Sequence, residues 1–86
     1  MEVDFLDKAL EDIEFWKKSG NKRIQSKITK LLESICLTPY SGIGKPEPLK
    51  HELSGYWSRR ITDEHRLVYT IVNDRIKIIS LCFHYS

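Results

Sequence analysis

Apolar residues recur along this chain with two different periods. From Leu6 they fall at Leu10, Ile13 and Trp16, and again from Ile24 at Ile28, Leu31, Leu32 and Ile35. That spacing predicts two helices, each with one buried stripe. The first carries Asp7, Glu11 and Asp12 early and Lys17 and Lys18 late, which suits the helix dipole. Gly20 reads as its left-handed C-terminal residue, and Asn21 as the cap of the next helix. Thr38-Pro39 stops the second helix. A connection this short makes the pair an antiparallel hairpin.

Elsewhere the period is two. Val3 and Phe5 alternate with Glu2 and Asp4, a short edge strand over 2–5. Three more strands are predicted at 56–61, 64–72 and 75–83, and Asn73-Asp74 suits a two-residue hairpin turn between the last two. Alternation puts Leu67, Tyr69 and Ile71 on one face with Ile76, Ile78, Ser80 and Cys82, and this face packs on the helices. The other face carries Arg66, Thr70, Arg75 and Lys77 among Val68, Val72, Ile79, Leu81 and Phe83. The expected fold is α+β, one domain over 1–86. Its N-terminal antiparallel helix hairpin packs on one face of a small, twisted, mainly antiparallel sheet. Residues 40–55 read as a long ordered loop, and loops of that length in compact domains tend to be functional.

Composition narrows the class. In 86 residues there are two cysteines, Cys36 and Cys82, both in apolar runs and both read as small buried hydrophobes. No Cys/His spacing resembles a zinc site. The N-terminus is acidic where a secretory signal would be basic, and no apolar run approaches membrane-spanning length. These features point to a cytoplasmic protein with no membrane role. The net charge of +2 is small, but its distribution is uneven. Residues 1–40 carry seven basic and seven acidic side chains, whereas 41–86 carry seven basic, five acidic and all three histidines. From charge alone this excess reads as a solvated face, although a localised basic patch on a small domain can bind phosphate.

Glu47 stands between Pro46 and Pro48, which hold the backbone extended, with Lys45, Lys50 and His51 nearby. Alone, such a carboxylate is more often an ion pair that pins a loop; the functional alternative is a pre-positioned general base. His84 is either a surface histidine near a chain end or a proton donor, since imidazole titrates near neutrality. Arg66 and the Arg59-Arg60 pair are either ordinary surface charge or planar phosphate clamps. Together these residue types fit one reaction, attack of an RNA 2′-hydroxyl on the adjacent phosphorus. That step needs a base, cations for the phosphorane and an acid for the leaving 5′-oxygen, and it needs no metal or other cofactor. Tyr85 and Trp57 are either packing residues or candidates for stacking on bases. Strict alternation from Arg75 puts His84 on the helix-packed face, opposite Arg66. A shared site therefore needs a bulge or turn between about Leu81 and His84.

The run Gly44-Lys45-Pro46-Glu47-Pro48-Leu49-Lys50-His51-Glu52-Leu53-Ser54-Gly55-Tyr56-Trp57-Ser58-Arg59-Arg60-Ile61 resembles the YoeB toxins of the wider RelE/ParE-type superfamily. The likeness continues through Thr62 to Tyr69 and to the closing His84-Tyr85, in a chain of matching length and element order. It implies the toxin half of a type II toxin–antitoxin pair, an endoribonuclease that cuts messenger RNA on the ribosome at the A site. It also implies a YefM-like antitoxin, a homodimer, and contact with operator DNA only through the antitoxin complex. The family's general base falls on Glu47, its general acid on His84 and its phosphate-stabilising arginine on Arg66. Lys50, Arg60 and Tyr85 fall on supporting positions. Ser86 extends past the usual terminal tyrosine, and Glu52 replaces a more commonly neutral residue. The competing readings are a non-catalytic module that occludes the ribosome and a co-repressor that completes a DNA-binding complex.

Overall fold

The computed structural model describes residues 1–82. Strand β1 (Glu2–Phe5) leads into helix α1 (Asp7–Ser19) and helix α2 (Lys22–Leu37). The strands β2 (Glu47–Pro48), β3 (Trp57–Arg60), β4 (Arg66–Val72) and β5 (Arg75–Ser80) follow. They form one sheet in the order β1-β5-β4-β3-β2. Only β1 and β5 pair in parallel; the other neighbours are antiparallel. The α+β architecture of a helix hairpin on a mainly antiparallel sheet is the one the hydrophobic pattern predicts.

The local signals act where expected. Gly20 closes α1 at φ 71°, and the Asn21 side chain accepts from the Ile24 N–H at 3.1 Å. Gln25 and Ser19 both donate to the Trp16 carbonyl, at 2.8 and 2.6 Å, and stitch the hairpin elbow. Asn73 and Asp74 both have positive φ, the backbone a type I′ hairpin turn requires. The core between the layers holds Leu31, Ile35, Leu67, Ile76 and Ile78, all fully buried. Each such side chain contributes roughly 1.5–3 kcal/mol.

Four expectations are corrected. The buried stripe of α1 is Ala9, Asp12 and Trp16 with Ile13 beside it, while Leu6 and Leu10 stay exposed. Leu6 is the helix's N-cap, with an extended backbone rather than a helical one. The strands are shorter than the apolar runs, because β4 starts at Arg66 after a turn and β5 ends at Ser80. The 40–55 loop contains β2 and a single 3-10 turn, His51–Leu53. Finally, the phase of β5 changes near its end. Tyr69 faces Ile78 but Val68 faces Ser80, so Ile79 is an extra residue. Directly opposed residues share a face, so Ser80 joins Val68 on the side away from the helices. Leu81, expected on that side, instead enters the core. The irregularity predicted for 81–84 is thus already present at Ile79.

Candidate active site

β2 places Glu47. Its two prolines bar it from a central strand, but at the sheet edge Pro48 gives up no needed ladder bond. Glu47 pairs with Ser58, and Ser58 with Val68. Arg60 pairs with Arg66, each two residues along from that row. All five therefore share one face of the sheet, the face away from the helices. With strands ~4.8 Å apart and ~3.4 Å of rise per residue, the Cα atoms of Glu47 and Arg66 stand about 12 Å apart. Ser58 and Val68 between them are buried, so the charged pair flanks a tightly packed floor.

Two further contacts hold this edge in place. The Arg60 N–H donates to the Gly44 carbonyl at 2.6 Å, and the Leu49 N–H to the Tyr56 carbonyl at 2.9 Å. Lys45 and His51, on either side of the Pro-Glu-Pro segment, both have positive φ. Non-glycine residues adopt that backbone only where surrounding contacts over-determine it. Arg66 folds back so that one terminal nitrogen donates to the carbonyls of Thr62, Asp63 and His65, at 2.7, 3.0 and 3.2 Å. Lys50 lies just before the 3-10 turn and is exposed.

The charges on this face are divided. On the β1 side, Asp4 bonds Arg75 at 2.6 and 2.8 Å and Lys77 at 3.0 Å, and Glu2 also pairs with Arg75. Hydrogen bonds from Arg75 and then Lys77 hold the Asp4 carboxyl well below the usual carboxylate range. On the β2–β4 side, Glu47, Lys50 and Arg66 have no ion-pair partner among the described residues, and Arg60 makes one long contact of 3.5 Å to Asp63. A cleft of about 260 Å³ next to Arg60 is lined by Lys27 and Lys45 as well.

Glu47, Arg60 and Arg66 are thus brought to one face, with Lys50 on the connection beyond β2. His84 and Tyr85 lie outside the described residues. Arg59, read with Arg60 as a candidate phosphate clamp, belongs to the interior. It is fully buried and donates to Ser34 Oγ, Tyr69 Oη and the carbonyls of Thr38, Ser41 and Ile43. It holds the 38–43 segment against β3. Its alternation with Arg60 was the available signal, since neighbouring strand residues face opposite ways. Among the described residues no group of three or more His, Cys, Asp or Glu is placed to hold a metal. No described helix is long and apolar enough to cross a membrane.

Known proteins resemble this chain in sequence and in fold. The chain is 46% identical to Toxin YoeB of Escherichia coli K12, over 99% of this chain and all of that one. It is 51% identical to Toxin RelK of Mycobacterium tuberculosis H37Rv, over 96% of each. Its fold matches a YoeB/ParE toxin from Agrobacterium tumefaciens with a TM-score of 0.93 at 42% identity, covering 99% of this chain and 100% of that one. Two Staphylococcus aureus structures also match, a YoeB–YefM complex (TM-score 0.87, 46% identity) and a YoeB dimer (0.88, 45%), each over 99% of this chain and 98% of theirs. Residues 5–85 fit the family model for the YoeB-like toxin of bacterial type II toxin–antitoxin systems, and the chain belongs to that family.

Proposed function

We propose that this toxin is an endoribonuclease that cuts messenger RNA on the ribosome, at the codon in the A site, without a metal. The carrying observation is that Glu47 and Arg66 share one face with no ion-pair partner among the described residues. Pure phosphate binding gains nothing from a carboxylate in a cationic patch, whereas cleavage needs a general base and a carboxylate can serve as one. Glu47 takes the proton from the 2′-hydroxyl as that oxygen bonds to phosphorus. Arg66, with Arg60 and Lys50, offsets the charge that builds on the phosphorane. His84 donates a proton to the 5′-oxygen as the P–O5′ bond breaks, leaving a 2′,3′-cyclic phosphate. Tyr85 holds or stacks on the substrate beside it.

Family kinship supports the rest of the reading. The Staphylococcus aureus relative is found with YefM and as a dimer. A YefM-like antitoxin and a second copy are therefore the partners assigned to this chain, with operator DNA reached only through the antitoxin complex. The whole of 1–86 acts as one toxin domain in the cytoplasm, where its substrate is. The test is a short messenger carrying a single 2′-deoxy nucleotide at the scissile position. It should resist cleavage while the all-ribose message is cut, and unchanged cutting would rule out 2′-hydroxyl attack. Growth arrest that survives both Glu47→Ala and His84→Ala would instead favour a non-catalytic block of the ribosome.

A further inference from the structure

Glu47 has two diagonal neighbours beside its partner strand. It pairs with Ser58, so residues 56 and 60 flank that partner on the same face. Such neighbours stand about 7–8 Å away, within reach of long and aromatic side chains. One is Arg60. The other is Tyr56, which lies one residue before β3 and continues its pairing with the β2 edge. The Tyr56 carbonyl accepts from the Leu49 N–H at 2.9 Å, and its own N–H donates to the Leu53 carbonyl at 3.0 Å. Thr70 Oγ1 donates to the preceding carbonyl, that of Gly55, at 2.8 Å. The backbone that presents Tyr56 is therefore fixed on both sides.

The Tyr56 side chain is half-buried yet stands outside the helix-side core. Its hydroxyl has no hydrogen-bond partner and its ring no aromatic partner among the described residues. Trp57, the neighbouring candidate for stacking on bases, faces the other way. It pairs with the buried Tyr69, packs on the core and meets Tyr40 with ring centroids 5.0 Å apart. Along the strand direction the candidate site thus runs from Tyr56 past Glu47 to Arg60 and Arg66. A ribonucleotide has the same order of groups. Its C2′, with the hydroxyl, lies between C1′, which bears the nucleobase, and C3′, which bears the scissile phosphate. With the hydroxyl at Glu47 and the phosphate towards the arginines, the nucleobase falls towards Tyr56.

We propose that Tyr56 is the stacking platform for the nucleobase on the 5′ side of the cut, the one whose ribose supplies the attacking hydroxyl. This rests on the reading of Glu47 as the general base. Every nucleobase has a π-face, so the contact adds affinity and orientation with little choice among the four.

The experiment measures kcat/KM for cleavage on programmed ribosomes by the parent, Tyr56→Phe, Tyr56→Leu, Tyr56→Ala and Glu47→Ala. Each receives two messages, one ordinary and one with an abasic ribose on the 5′ side of the cut. The abasic message keeps the 2′-hydroxyl and the phosphate. On the ordinary message Tyr56→Leu and Tyr56→Ala should be about 5- to 100-fold slower than the parent, with Tyr56→Phe close to it. On the abasic message the parent should fall to the level of the Tyr56 variants, and all should cut alike. Should Tyr56→Ala fail to fold, Tyr56→Leu carries the test, because it keeps a branched apolar side chain on that face. Three results overturn the stacking role alone while Glu47→Ala is slow. They are parental cleavage of the ordinary message by Tyr56→Leu, an equal defect of Tyr56→Leu on both messages, and a defect in Tyr56→Phe as large as that in Tyr56→Leu. Parental cleavage of the ordinary message by Glu47→Ala overturns the general-base assignment and the stacking role with it.

Discussion

The guanidinium of Arg59 is satisfied by oxygens rather than by an acid, and its five donors meet five acceptors. Tyr69, one of the five, donates in turn to the Pro39 carbonyl at 2.6 Å. Burial pushes the Tyr69 phenol up, partly offset by Arg59, which keeps that proton in place. Arg59→Ala leaves a cavity and several orphaned carbonyls, and should cost about 3 kcal/mol or more, read as a fall in the urea midpoint. Arg59→Lys should do little better, since an ammonium has three donors and no fork. A second residue-scale prediction concerns Cys82. Burial, and next the Asp12 carboxylate, push its thiol up to about 11. Alkylation of Cys82 should therefore be slow at neutral pH and accelerate only towards that value, and Asp12→Asn should move the midpoint down. Strand alternation with Arg60 signalled an inward Arg59, but Asp12 was not legible in the sequence as an interior residue. Asp12 resembles any early-helix acid balancing a lysine, and its buried partner is a backbone group 69 positions away. Glu47 was legible because its flanking prolines restrict the local backbone without any tertiary context.

At the scale of elements, the edge that carries Glu47 depends on one close approach. Gly44 has φ 80°, and a Cβ there would run into the Leu31 side chain and crowd Arg59. Its carbonyl also accepts from the Arg60 N–H. Gly44→Ala combines an unfavourable backbone with a steric clash, and should cost roughly 1–3 kcal/mol. It should also loosen β2 from β3, detectable as faster hydrogen exchange at the Leu49 amide. The helices, the Asn73-Asp74 turn and the strand faces up to Ile78 were readable because each follows from local periodicity or local backbone demand. The phase change at Ile79 was not. Ile78-Ile79-Ser80-Leu81 is nearly all apolar or small, so shifting it by one residue leaves the pattern almost the same. β2 was hidden for a different reason, since a two-residue strand has no period to detect.

For the molecule as a whole, β1 is tied to β5 by parallel pairing and by the Asp4, Arg75 and Lys77 cluster on the same face. The folded Asp4 carboxyl lies below its unfolded counterpart, so its contribution to stability is fully present above about pH 4 and is lost as pH falls below that. The melting temperatures of the parent and Asp4→Asn should therefore differ at neutral pH and converge in acid. Added salt should narrow the gap at neutral pH, because the cluster is only part-buried.

The strand order has a consequence in time. β1 is made first and β5 last of the described strands, yet β5 lies between β1 and β4. Until codon 75 and its successors have been translated, β1 has no neighbour and β4 is an open edge. The nascent chain can pair β2, β3 and β4 in turn but cannot join β1 to them until β5 is made, so an interrupted message yields fragments without the completed fold.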